Sequence, residues 1–370
     1  MKILFAFSAS QMDNILNDYS ASKRTTYDGI IEELGAQSLF ATLGFDYKRQ
    51  DKDHFLAIIN SRILQGKWIR ENNLKPSPSW RLDVLSEQIR KFEPDVLYTN
   101  NAYIMNSNFC DKLPNVKLKA IWIASPIRPG LDLSHFDLGF SFSEIFLQRM
   151  KQCGLDNIFR LDFCFNTDLS IKSGNISRKK YDLCFVGRYG NMFSIGRHGN
   201  MFSKRNKSLY IIYKELGNKY RIKYHFLKSP FPKCINFKHI GMLFSSYPPV
   251  YLKDMFEVFA ESKIVLNAHS DVTGKFKGNM RTFEVLGSNN FMLTDDGGYP
   301  KNLNAGRDFI IYKDTKDLIK NIQYYLNEDK ARENIAQRGF ETVQKNYSMI
   351  SHNIKMIRIF QKVLRRKESD

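Results

Sequence analysis

The chain is short of negative charge: 38 Asp and Glu stand against 56 Lys and Arg in 370 residues, a formal net charge of +18. Cysteine is scarce as well, with five residues and no C-x-x-C pair. An odd, scattered set of thiols excludes a disulfide framework and a structural zinc site, and it fits a reducing cytoplasm. No apolar run reaches the roughly 18 residues that a spanning helix needs. The opening Met1-Lys2-Ile3-Leu4-Phe5-Ala6-Phe7 is brief and is followed by Gln11, Asp13 and Asn14 without a small-residue cleavage site, so it reads as a buried first strand, not a signal peptide. Low-complexity tracts are lacking too. With 43 % hydrophobic and 25 % charged residues, the composition is that of a chain folded throughout.

What is present points to two domains. A length of 370 residues exceeds one ordinary domain and allows two, each with its own core. In the first half, strands at Lys2 to Phe7, Asp95 to Tyr98, Lys119 to Ala124 and Leu138 to Phe142 alternate with helices at Ser79 to Phe92 and Glu144 to Gln152. Glu93-Pro94-Asp95 is a stop signal, because proline disfavours helix in the residue before it. After the polar stretch Lys172-Ser173-Gly174-Asn175, a second block opens with a strand at Tyr181 to Val186. Further strands are expected at Tyr224 to Leu227, Ile264 to Asn267, Phe291 to Thr294 and Phe309 to Tyr312. Helices are expected at Tyr251 to Ala260, Thr282 to Leu286, Thr315 to Asn327 and Asp329 to Tyr347. The reading is α/β with two facing Rossmann-like domains, 1–172 and 178–346, and a closing basic helix, 347–370, that crosses back to the first domain.

The positive charge is concentrated. Between Ser170 and Ile240, sixteen Lys and Arg stand against only Asp182 and Glu215, a field that favours polyanions. The same region holds a tandem duplication: Gly187 to Ile195 is repeated, with two changes, as Gly196 to Lys204. Nine residues are too few for a solenoid, and the copy reads as a lengthened loop, since loop-closure entropy grows slowly with length.

In open α/β sheets, ligands sit beyond the carboxyl ends of the strands, where glycines let backbone N–H groups approach phosphate. The turn expected after Val186 has that character, with Gly187, Gly190, Gly196 and Gly199 beside Arg188, Arg197, Lys204 and Arg205. It matches neither a G-x-G-x-x-G fingerprint nor a P-loop. The segment Ser262 to Tyr299 is more informative. A strand ending in Asn267, followed by Ala268 and His269, leads through a Gly/Lys-rich loop to a helix that starts near Asn279, Met280, Arg281 and Thr282 and carries Glu284 one turn in. A helix start and an arginine favour phosphate, and a carboxylate at that position can accept both hydroxyls of a ribose. Asp295-Asp296, adjacent and followed by Gly297-Gly298, reads as a turn, with no metal site assigned.

The blocks I-V-L-N (Ile264 to Asn267), N-M-R-T-F-E-V-L-G (Asn279 to Gly287), F-M-L-T-D-D (Phe291 to Asp296) and Y-x-D-x-x-D-L-I (Tyr312 to Ile319) resemble the CgeB-like glycosyltransferases, related to the group 1 enzymes of the GT-B fold. The resemblance extends through Tyr324-Tyr325-Leu326, Ile335-Ala336-x-x-Gly339 and Asp182 to Gly187. In the first half it rests on strand–helix order and on Pro94 to Tyr98. It implies an active site between two domains. A nucleotide diphosphate-sugar would be bound through Gly187, Arg188, Arg205, Asn267, His269, Asn279, Met280, Arg281, Thr282 and Glu284, with Glu284 on the ribose. It implies neither cofactor nor bound metal, and it leans towards retention of anomeric configuration. The related enzymes carry E-x7-E, whose first glutamate falls at Phe276 here, so that contact to the donor sugar is missing or replaced. Where relatives often have Asp or His, this chain has Ser125-Pro126, and no catalytic base is assigned.

In the first domain Ser8, Ser10, Asn100, Asn101 and Ser125 follow strands and are candidates for the acceptor: a glycan, a glycolipid or a protein, as in bacterial surface polysaccharide or glycoconjugate synthesis. The final segment, Met349 to Lys367, puts Ile350, Ile354, Ile357, Phe360 and Leu364 on one stripe, read as packing on the first domain, with basic residues elsewhere that can meet an anionic membrane at its inner face. Two other classes remain open: a sugar-nucleotide epimerase of the same architecture, and a nucleic-acid-binding protein, which the lack of a recognition helix or RNP-like motif disfavours.

Overall fold

The computed structural model describes all residues except 10–11, 20–25, 76, 114, 170–178, 191–200, 229–236 and 370. The chain divides into two compact units, Met1–Leu161 together with Met349–Asp370, and Asp162–Ser348.

In the first unit, β1 (Ile3–Phe7), β2 (His54–Ile58), β3 (Val96–Thr99), β4 (Leu118–Trp122), β5 (Leu138–Ser141) and β6 (Ile158–Arg160) form a parallel sheet in the order β2-β1-β3-β4-β5-β6. Every residue of β1 and β2 is buried, as expected of parallel strands covered on both faces. The helix Trp80–Phe92 turns Val84, Leu85, Ile89 and Phe92 to the core and stops at Glu93, whose backbone is left-handed (φ 51°), immediately before Pro94. Strand β2 escaped the sequence reading because it opens with a histidine, and the helices Tyr27–Ala36 and Arg62–Glu71 beside it were also unread.

In the second unit, β7 (Tyr181–Tyr189), β8 (Ile222–Lys228), β9 (Ser262–Asn267), β10 (Met292–Asp295) and β11 (Ile310–Tyr312) form a parallel sheet in the order β11-β10-β9-β7-β8. Helices at Ser203–Leu216, Leu252–Ala260, Met280–Gly287, Thr315–Asn327 and Asp329–Asn346 accompany it. In each sheet the first strand lies between the second and the third, so the direction of winding reverses there; this is where an open α/β sheet leaves a crevice at its carboxyl ends.

Three expectations change. Strand β7 runs three residues past Val186: Gly187 and Arg188 pair with Phe226 and Leu227 of β8, so they belong to the strand and not to a turn. The loop begins only at Gly190 (φ 112°), and most of the duplicated segment lies outside the described residues. The chain enters the second unit after Leu161, not at 172, because the Phe165 amide donates to the Tyr347 carbonyl (2.9 Å) and the Phe165 ring fills the space over Gly287. Finally, the closing helix Met349–Ser369 does pack in the first unit, with the Phe360 ring 5.9 Å from Tyr98 and 5.7 Å from Phe140, but on a rotated face. Its buried residues are Met349, His352, Asn353, Met356, Phe360 and Val363, while Ile350 and Ile354 are 65 % and 47 % exposed.

Candidate functional site

The helix Met280–Gly287 starts where β9 ends, and side chains lock the two together. The Asn279 backbone is extended and its Oδ1 accepts from the Thr282 amide (3.2 Å), an N-cap. Asn267, the last residue of β9, donates from Nδ2 to Asn279 Oδ1 (3.0 Å) and Thr282 Oγ1 (3.1 Å), and Asn279 Nδ2 returns a bond to Asn267 Oδ1 (3.2 Å). Thr282 is wholly buried, so it acts through this network and not by touching a ligand.

His269 supports the same helix start. Its Nε2 accepts from the amides of Gly278 (3.2 Å) and Asn279 (3.4 Å), so the ring is neutral with its proton on Nδ1, which donates to Asp295 Oδ1 (2.7 Å). Burial lowers the pKa of this imidazole and so favours that neutral form. For Asp295, burial works against ionisation, but the His269 hydrogen bond and the Lys277 charge prevail and hold the carboxyl well below the usual range. The His269 side chain is 1 % exposed with both nitrogens engaged; it positions the loop and does not reach towards a sugar. Gly278 takes φ +101°, and a Cβ there would lie 2.8 Å from the Pro300 ring.

One turn into the helix, Glu284 is 8 % exposed and accepts from Arg281 Nη1 (2.7 Å). Burial raises its pKa, and the Arg281 charge opposes the rise. The Arg281 guanidinium is steadied over the Phe259 ring (5.1 Å) and against Met255. Met280, Arg281 and Glu284 line a cleft of about 190 Å3 together with Gly187 of β7 and Arg205. Arg205 comes from the first turn of the helix Ser203–Leu216. Its Nε donates to the Ala268 carbonyl (2.7 Å), its Nη1 to the Arg188 carbonyl (3.3 Å), and its plane lies against Phe202 (4.4 Å) and Phe185 (5.9 Å). Burial brings its pKa down to about 10. Among the described residues no carboxylate hydrogen-bonds to it, so a half-buried cation lines the cleft, with Asp295 and Asp271 acting on it only through their charge. The cleft thus pairs a hydroxyl acceptor, Glu284, with an anion-seeking wall.

The structure therefore gathers Gly187, Arg205, Asn267, Asn279, Met280, Arg281 and Glu284 around one cleft, with Thr282 and His269 behind its wall. Arg188 contributes its carbonyl to Arg205. Lys277 and Asp295, which complete the His269 network, carried no motif signal that could have singled them out.

In the first unit, Ser8, Asn100 and Asn101 meet at the carboxyl ends of β1 and β3. Asn100 Oδ1 accepts from the Ser8 amide (2.7 Å), Asn100 Nδ2 donates to the Ser8 carbonyl (3.0 Å), and Asn101 Nδ2 donates to Ser8 Oγ (2.8 Å). Asn60, just beyond the unread β2, clasps Ala9 in the same way (3.0 and 2.9 Å). These amides join strand ends at the sheet's reversal point. Ser125 is exposed after β4, and Ser10 lies outside the described residues. Among the described residues no three His, Cys, Asp or Glu side chains could hold a metal ion, and no helix is long and apolar enough to cross a membrane.

Residues 218–357, which include β9, the Glu284 helix, β10 and β11, match the family described as glycosyl transferase-like. No curated protein matches the chain. Several solved structures share its fold over nearly the whole length. A glycosyltransferase from Rickettsia africae superposes with a TM-score of 0.59 at 13 % identity, covering 98 % of each chain. Anabaena Alr3699/HepE, solved with UDP and glucose, gives 0.60 at 11 %, covering 98 % of this chain and 99 % of that one. AviGT4, a glycosyltransferase involved in avilamycin A biosynthesis, gives 0.59 at 12 %, covering 98 % of each. Two parallel-sheet α/β domains, as in these structures, are the GT-B fold.

Proposed function

We propose that this chain is a GT-B glycosyltransferase of the CgeB-like group whose second unit holds a nucleotide diphosphate-sugar in the cleft between Glu284 and Arg205. The observation that carries the reading is the buried carboxylate one turn inside a helix start, sharing a cleft with an arginine to which no carboxylate hydrogen-bonds among the described residues. Glu284 accepts from the two ribose hydroxyls. Arg205, Arg281 and the positive end of the Met280–Gly287 helix take the diphosphate. As the glycosidic bond to the β-phosphate breaks, charge grows on the departing diphosphate, and these fixed donors lower the barrier without a bound metal or cofactor. Gly187 on β7 lets the nucleotide approach the backbone closely.

Because Alr3699/HepE has been solved with UDP-glucose, UDP is the nucleotide to try first. The acceptor, a glycan, glycolipid or protein, is assigned to the first unit, where Ser8, Asn100, Asn101 and Ser125 follow strand ends. Retention of configuration is the outcome the group 1 resemblance favours, and the cytoplasm, at the inner face of its membrane, is the compartment. Glu284→Gln removes the anionic acceptor while keeping the side chain's shape. Its UDP affinity by calorimetry should fall about tenfold or more, about 1.4 kcal/mol, with thermal unfolding nearly unchanged. An affinity equal to wild type would overturn the assignment. Incubation of a UDP-sugar without acceptor should yield no epimer; an epimerised product would move the chain to the other enzyme class.

A further inference from the structure

Arg205 and Ala268 belong to two clefts. Beyond them, at the carboxyl ends of β9, β10 and β11, lies a second cleft of about 500 Å3 that the nucleotide reading does not use. Lys204, Arg205 and Lys207 enter it from the start of the helix Ser203–Leu216, Lys275 and Lys277 from the loop after β9, and Lys313 from the end of β11. Three carboxylates line it, and two are already engaged. Asp295 is held by His269 and Lys277. Asp314 caps the helix Thr315–Asn327, accepting from the amides of Lys316 (2.8 Å) and Asp317 (2.9 Å). Only the exposed Asp296 is left, against four lysines, Lys204, Lys207, Lys275 and Lys313, whose ammonium groups make no ion pair among the described residues. The helix Ser203–Leu216, fourteen residues long, has no cap from its own N-cap residue Phe202; Asp271, from the loop after β9, meets its start, Oδ2 accepting from the Lys204 amide (3.2 Å).

Like charges gathered around a concavity repel one another, and an arriving anion relieves that repulsion. We propose that the second cleft binds a phosphate group, as a monoester or diphosphate, alongside the nucleotide, at a site on the second unit distinct from the acceptor residues assigned to the first. The proposal rests on the nucleotide occupying the smaller cleft. Lysines suit such a ligand, because an ammonium acts on phosphate as a point charge without demanding one fixed geometry.

The probe is inorganic pyrophosphate, titrated into the full chain already saturated with UDP. One pyrophosphate should bind, and the double variant Lys207→Ala/Lys313→Ala should weaken it about tenfold or more while leaving UDP affinity unchanged; both side chains are exposed, so the variant keeps the fold. Two results overturn the proposal: no pyrophosphate binding when UDP is present, or equal binding by the variant. If UDP itself fails to bind, the function proposed above falls. Pyrophosphate binding that still depends on Lys207 and Lys313 would in that case support this cleft on its own. Displacement of pyrophosphate by glucose 1-phosphate would mark a soluble sugar phosphate as the source. Displacement only by phosphatidylcholine vesicles doped with phosphatidic acid would mark a phosphate at a lipid surface.

Discussion

His54 illustrates how a single side chain carries pH dependence. It is wholly buried at the start of β2, its ring 5.0 Å from Phe5 and 6.5 Å from Phe45, and its Nδ1 accepts from the Asp46 amide (3.3 Å). Burial and then the Arg49 charge drive its pKa down, against Asp53, to about 3. The folded protein therefore holds a neutral ring, while the unfolded chain binds a proton near pH 6.5. The stabilisation is complete above pH 6.5 and is lost as pH falls from there towards about 3, by about 2 kcal/mol at pH 5. His54→Leu should start less stable, because the Asp46 amide loses its acceptor, yet lose less on acidification. Urea unfolding at pH 7 and pH 5 reads the difference; parallel losses in the two proteins would refute it. Glu284 and Asp295 show the same principle at the site, where burial and neighbouring cations set two carboxyls in opposite directions.

At the scale of the element, the closing helix separates hydrophobicity from burial. An apolar stripe through Ile350, Ile354 and Ile357 is evident in the sequence, but the helix instead buries His352, Asn353 and Met356. Gly44 (φ +90°) leaves room for that polar pair: a Cβ there would lie 2.5 Å from Asn353 Oδ1 and 3.1 Å from the His352 ring. Such a fit cannot be read from a helical period, which counts apolar residues and not the space opposite them. Phe360→Ala should accordingly cost about 3 to 5 kcal/mol in denaturant unfolding, whereas Ile354→Ala should cost under about 0.5. Equal losses would place the buried face where the apolar stripe lies. The Met280–Gly287 helix is the opposite case, since its start at Asn279 and its place after β9 were legible from residue types alone, while the Arg281–Glu284 pair came with the structure.

For the whole molecule, the net charge of +18 and the basic segment between residues 170 and 240 predict weak, general attraction to polyanions. Retention on heparin should fall steeply with added salt, because each released counter-ion contributes to the slope. UDP affinity should fall far less over the same range, since the cleft proposed for it is small and lined by the buried Glu284. Sub-micromolar nucleic-acid binding together with no UDP binding would reverse the assignment and restore the alternative the charge alone suggests.

The sequence by itself determined the α/β class, most strands of both sheets and the helix that carries Glu284. These depend on local features: apolar runs, a proline stop, an Asn cap. Only the tertiary structure decided that β7 continues through Gly187 and Arg188, that His269 and Thr282 stand behind the wall, and that Arg205 lines the cleft while bonding to the Ala268 and Arg188 carbonyls. Each of those depends on which strands become neighbours and on how much water the packed chain excludes, quantities that no stretch of residues contains until the sheet has closed around it.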